Sequence, residues 1–144
     1  MAPAASRTQP DHPLGVELMD ADHARIESAI RQAAVADDAD LPALHGEIVS
    51  ELASHFAREE ELMRAHDFPG LHCHFAQHRL LLEQARRTGA MSPSALRRHI
   101  GVYVAQLVES HVLTLDQVTA AFIRGEFGAE RFEGLRLPPE APAT

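Results

Sequence analysis

Four stretches of this chain repeat apolar residues at steps of three and four, and histidines and acids break into those stripes on their inner faces. The first helix reads from Asp20 as N-cap to about Ala36, with His23, Ile26, Ile30 and Ala33 on one face. Asp37-Asp38-Ala39-Asp40 breaks it, and Pro42 suits the first turn of a second helix. That helix has the cleanest stripe: Leu41, Leu44, Ile48, Leu52, His55, Glu59, Leu62 and His66. After the turn Asp67-Phe68-Pro69-Gly70, a third helix from about Leu71 to Arg87 turns Leu71, His74, His78, Leu81 or Leu82, and Ala85 inward. Gly89 ends it, and Ser92-Pro93 opens a long fourth helix reaching about Arg124. Its stripe is Leu96, Ile100, Val104, Leu107, His111, Leu115, Val118 and Phe122.

No stretch alternates with the two-residue period of a strand, and the connections are short. The expected fold is therefore all-α, an antiparallel up-down-up-down four-helix bundle. Its 144 residues suffice for one domain. Residues 1–13 hold three prolines and no periodicity, so they read as a mobile N-terminal arm before the bundle at 14–124. Residues 125–144 read as a C-terminal extension: Phe127, Phe132, Leu135 and Leu137 could pack back on the bundle, and Pro138 to Thr144 should be disordered.

Composition narrows the partners. All 13 basic residues are arginines scattered along the chain, and the net charge is −8, which disfavours nucleic acid and anionic membranes. The single cysteine, Cys73, cannot form an internal disulfide. The first residues lack the apolar core of a signal peptide and no stretch approaches the length of a membrane span, so the expected location is the cytoplasm and the expected state a monomer.

Spacing alone does not define a site. Ten histidines and 21 acids would give about 1.5 His-to-acid pairs at i,i+4 by chance, and the chain has two, His23/Glu27 and His55/Glu59. Depth in the bundle is more telling. His23 and His55 each lie roughly 16 residues from the first turn, and Glu59 and His78 roughly ten from the second. His74 and His111 lie roughly 17 and 20 residues from the third. All four helices thus deliver polar groups to one layer. Burying such a layer without compensating bonds would cost several kcal/mol per group, so metal coordination is the economical explanation. Glu27 fits a charge beside the stripe, and His66 a cap for terminal carbonyls. His12, His45, His72 and His99 read as surface residues, and Cys73 as a core or surface thiol.

The order His23, His55-x-x-x-Glu59, His74-x-x-x-His78, His111-x-x-x-x-Asp116 resembles the hemerythrin family. The segment with Glu59-Glu60-Glu61-Leu62-Met63 and Phe68-Pro69 between the histidines is similar to bacterial members, and the resemblance spans about residues 14–124. It implies a bundle that holds two iron ions joined by an oxo or hydroxo bridge and binds dioxygen reversibly. His74, His78 and His111 would hold one iron, His23 and His55 the other, and Glu59 and Asp116 would bridge them. Five imidazoles, two bridging carboxylates and one bridging oxygen then leave a single open position, on the iron with two histidines. Dioxygen or another small diatomic ligand fits there. The resemblance thus implies a binding protein and not an enzyme. A di-iron redox enzyme or a sensor acting on peroxide, nitric oxide or oxygen, with any output partner separate, would use the same irons, as would an iron-storage or repair protein.

Two positions depart from a plain helical reading. Asp116 lies five residues after His111, about 140° around a regular helix, so either its side chain reaches in from the stripe edge or a π turn brings it onto the inner face. The chain also has no tryptophan, and Leu107 stands where relatives often carry one. Ile26, Leu107 and Val108, each about one turn from a histidine, are the expected walls of the ligand pocket.

Overall fold

The computed structural model of the chain describes residues 9–131. Helix α1 spans Glu17–Val35, α2 Leu41–Ala65 and α3 Leu71–Arg86, with a 3-10 turn at Asp38–Asp40 before α2. A fourth helical rod follows as five consecutive segments: α-helical Pro93–Arg98, π-helical His99–Val104, α-helical Ala105–His111, π-helical Val112–Asp116 and α-helical Gln117–Ile123. α1 packs on α2 and on the fourth rod, and α3 packs on the same two. This is the all-α four-helix bundle that the stripes and short connections require. Phe132, Leu135, Leu137 and the rest of 132–144 lie outside the described residues.

The helix ends follow local chemistry, with one correction. Ser92 caps the fourth rod, its hydroxyl accepting from the Ala95 N–H at 3.2 Å, and Pro93 occupies the first turn. Asp20, however, is not an N-cap, because α1 begins three residues earlier behind Val16. From inside the first turn its carboxylate reaches back to accept from the Leu14 N–H at 2.7 Å and the Gly15 N–H at 3.1 Å. It therefore fixes the entry of the chain into α1 by satisfying donors that precede the helix. His66 does bond a terminal carbonyl, with Nδ1–H donating to Leu62 O at 3.0 Å.

The main core runs along the bundle through Ile26, Ile30, Ile48, Leu52, Ile100 and Val104. A smaller cluster of Met63 and Phe68, with Leu71, Phe122 and Phe127 against it, closes the end at the α2–α3 turn. Two histidines read as surface residues are held inside the structure. His99 is buried, His45 is half-buried, and both donate Nε2–H to the carbonyl of Ala85, at 2.9 and 2.8 Å. That carbonyl lies in the last turn of α3 and has no later amide of the helix to receive, so two imidazoles from other helices fill the need.

The stripe of the fourth rod is displaced within its C-terminal half. Leu107 and Leu115 are only half-buried and Val118 is exposed, while Val108, Val112, Asp116 and Thr119 are buried. A π turn accommodates one more residue than an α turn, so the inward face advances by one position after each π segment. A steady count of three and four cannot follow that shift.

Candidate metal centre

His23, His55, Glu59, His74, His78, His111 and Asp116 meet in one buried layer near the α2–α3 turn. α2 and α3 each supply a pair at i,i+4 on the inner face, His55 with Glu59 and His74 with His78, and α1 supplies His23 alone. On the fourth rod the π segment Val112–Asp116 brings Asp116 inward beside His111. Of the two routes open to Asp116, the backbone takes the π turn.

The seven side chains form two clusters that share both carboxylates. His74, His78 and His111 converge, with the Nε2 of His111 3.1 Å from each of the other two. Glu59 Oε1 lies 2.6 Å from His74 Nε2, and Asp116 Oδ1 lies 2.9 Å from the same nitrogen. The second oxygens face the other way, Glu59 Oε2 2.8 Å from His55 Nε2 and Asp116 Oδ2 3.0 Å from His23 Nε2. Each carboxylate thus gives one oxygen to each cluster.

Hydrogen bonding within the protein does not satisfy these atoms. Among the described residues, both oxygens of Glu59 and of Asp116, both ring nitrogens of His23 and Nε2 of His55 are buried without a hydrogen-bond partner. Lone pairs that converge in a dry layer repel unless cations sit among them, protons in the metal-free fold or metal ions. Separations near 3.1 Å also match the edge of an octahedron with bonds of about 2.1 Å, the usual metal–imidazole length. The residues fit a pair of metal ions.

The far side of three imidazoles is anchored. His55 Nδ1–H donates to Asp22 Oδ2 at 2.9 Å, His78 Nδ1–H to Glu60 Oε2 at 2.9 Å, and His74 Nδ1–H to Thr119 Oγ1 at 2.7 Å. Thr119 accepts that proton because its own hydroxyl donates to Leu115 O at 2.9 Å. Each bond fixes the tautomer and turns the Nε2 lone pair to the centre. Asp22 is itself held by Arg58, whose Nε and Nη2 donate at 2.9 and 3.0 Å, and by Arg25. Sequence reasoning missed Asp22, Glu60 and Thr119. Their one local signal is proximity, since each lies within three residues of an inward group; the pairings themselves cross between helices.

Charge at the site follows from these contacts. Burial alone would push the Asp22 carboxyl up, yet His55 and Arg58 hold it well below the usual carboxylate range. Burial disfavours charged His55 and His74, but Asp22 and Glu59 around the first, and Asp116 and Glu59 around the second, raise both to about 9. His78 goes down: burial and the neighbouring His74 and His111 outweigh Glu59. Glu59 and Asp116 stay ionised against burial because imidazoles surround them.

The expected pocket walls separate. Ile26 and Val108 are buried core residues. Leu107 lines a surface groove of about 320 Å³ between α3 and the fourth rod, with Leu81, Leu115 and His111, a histidine of the three-histidine cluster. Glu27 stands beside the site, accepting from the Asp11 N–H at 3.0 Å, and Cys73 is an exposed free thiol.

A four-helix bundle with two histidine clusters around shared carboxylates is, as a class, a histidine-rich metal-binding bundle. Residues 14–112 match the family model "Hemerythrin HHE cation binding domain". The chain is also 30% identical over 113 residues, 76% of its length and 82% of the relative's, to a Bacteriohemerythrin of Ralstonia nicotianae. The chain belongs to the hemerythrin family. No solved structure matches it at a significant level. The family match contains six of the seven site residues and stops before Asp116, which joins the site through the geometry of the π turn. Among the described residues no helix is long and apolar enough to cross a membrane.

Proposed function

We propose that this chain holds two iron ions, one by His74, His78 and His111 and the other by His23 and His55, and binds dioxygen reversibly as a cytoplasmic carrier or store. Glu59 and Asp116 bridge the pair. The observation that carries this reading is the division of each carboxylate between the clusters, Oε1 and Oδ1 toward three histidines, Oε2 and Oδ2 toward two. When bound, two ferrous ions supply the two electrons that dioxygen binding requires.

The chain's own residues set the rest. Three imidazoles against two make the ions unequal and leave the ion at His23 and His55 one protein ligand short. A ligand taken there must be small, because the position lies in a closed layer where His23, His55, Glu59 and Asp116 are all buried. The Nδ1 bonds to Asp22, Glu60 and Thr119 preorganise the imidazoles, so little is reorganised when metal enters. Five neutral donors against two carboxylates also favour reversible binding over oxygen activation, since few anionic ligands are available to stabilise high-valent iron.

The test is anaerobic iron quantitation with an optical spectrum before and after air. Close to two irons per chain and a stable colour on oxygenation, reversed under vacuum, are expected. A stoichiometry near one, or one unaltered by His74→Ala, would overturn the two-iron reading, and continuous oxygen consumption would replace a carrier by an enzyme.

A further inference from the structure

Two of the cavities along the fourth rod lie beside its segment Ala105–His111, and their chemistry differs. The groove at Leu107 opens between polar residues, including Gln77, Gln84, Ser110 and Thr114. On the other flank a cleft of about 230 Å³ lies between α1 and the fourth rod, with Ile30, Ala105, Val108 and Val112 on its walls. Asp11, Glu27, Glu109, His12 and Arg31 also line it. Among the described residues on its wall, the carboxylates of Glu27 and Glu109 face the single guanidinium of Arg31, with His12 Nε2 3.9 Å from Glu109 Oε2.

The cleft adjoins the two-histidine side of the centre. Glu27 lies one helical turn after His23 on the same face of α1, which sets a lining carboxylate beside the two-histidine cluster. His23 is 1% exposed, and neither ring nitrogen has a hydrogen-bond partner. That imidazole lacks the Nδ1 anchor that holds His55, His74 and His78. Residues 11 and 12 cross here, and the Asp11 N–H is tied to Glu27 Oε2. Gly101 borders the cleft, and a Cβ added to it would meet nothing within 4 Å.

We propose that this cleft is the port through which small ligands reach the His23/His55 metal position, and that its acidic lining admits neutral diatomics while retarding anions. The apolar walls solvate dioxygen or nitric oxide better than an ion, which would shed its hydration to pass them. Carboxylates at the opening lower the local concentration of anions before that step, by a field that salt screens. The inference rests on the proposed metal centre for its purpose, but the cavity itself can be tested without metal.

Two experiments separate the questions. Crystals of the full-length protein are pressurised with xenon, an apolar atom of similar size to dioxygen. A xenon site between Val108 and Val112 is expected; xenon only in the Leu107 groove, or in neither cavity, overturns the port whether or not iron binds. Iron-loaded protein is then mixed with azide or with nitric oxide in stopped flow. Glu109→Lys, an exposed position outside the centre, is expected to speed azide entry about threefold at low salt and to leave nitric oxide unchanged. Gly101→Leu, which has room to grow into the cleft, is expected to slow both ligands while iron content and melting temperature hold. Azide entry indifferent to Glu109→Lys overturns the charge filter, and entry of both ligands indifferent to Gly101→Leu overturns the port. Failure to load two irons would instead count against the metal reading and would leave the xenon result standing.

Discussion

His74 and Thr119 stand 45 residues apart in sequence and are joined by a 2.7 Å hydrogen bond that exists because of a π turn. Without the extra residue between Val112 and Asp116, Val118 would face inward where Thr119 now does. Thr119→Val keeps the shape and removes the hydroxyl, leaving the His74 Nδ1–H buried without an acceptor. A loss of about 1–3 kcal/mol in stability of the metal-free chain is expected. Metal affinity should fall at least tenfold. Thr119→Ser should restore most of both, as read by thermal melts and competitive chelation.

Asp22 joins α1 to α2 through His55 and Arg58, and it is 2% exposed. Asp22→Ala strands the His55 Nδ1–H in the core and frees Arg58, for an expected destabilisation of about 2–4 kcal/mol. Asp22→Asn retains an acceptor for His55 but not the charge. It should recover most of the stability in denaturant unfolding while iron binding remains weaker than in the parent chain.

The pH dependence should vanish on metal loading. In the metal-free fold His55 and His74 titrate at about 9, above the ordinary 6.5. A raised histidine stabilises the fold below 6.5 and loses that contribution as pH climbs through 9. The melting temperature of metal-free protein is therefore expected to fall between pH 6.5 and 9, by roughly 5 °C or more at about 3 °C per kcal/mol. Metal replaces those protons, so loaded protein should show no such decline. Uptake at pH 7 should release about two protons per chain, measurable by calorimetry in buffers of different ionisation enthalpy.

Leu107→Trp tests the groove against the cleft. The indole has a cavity of about 320 Å³ to enter beside Leu81 and His111. Filling it should add about 0.5–2 kcal/mol of stability if the ring seats without overpacking. Azide entry to iron-loaded protein should be unchanged, because the proposed route lies on the other flank of the rod.

The histidine and acid spacings on α2 and α3, with the apolar stripes and the breakers at Asp37–Asp40, Asp67–Gly70 and Gly89–Ser92, were sufficient to read four helices and a polar layer at one depth. Those are local properties: a helix of fixed pitch turns spacing into a face, and a short connection makes neighbours antiparallel. Where pitch changes, that reading fails, as at Leu115 and Val118, which a regular count turns inward and the π segments turn aside. Whether an amide bonds four or five residues back depends on what the neighbouring helices bury. The same holds for His99, drawn inside by the Ala85 carbonyl, and for Asp22, Glu60 and Thr119, whose imidazole partners lie 33, 18 and 45 residues away. The sequence by itself determined which side chains share a helix face and a level. Only the tertiary structure decided which lone pairs meet, because those contacts form between helices whose rotation about their own axes is set by packing.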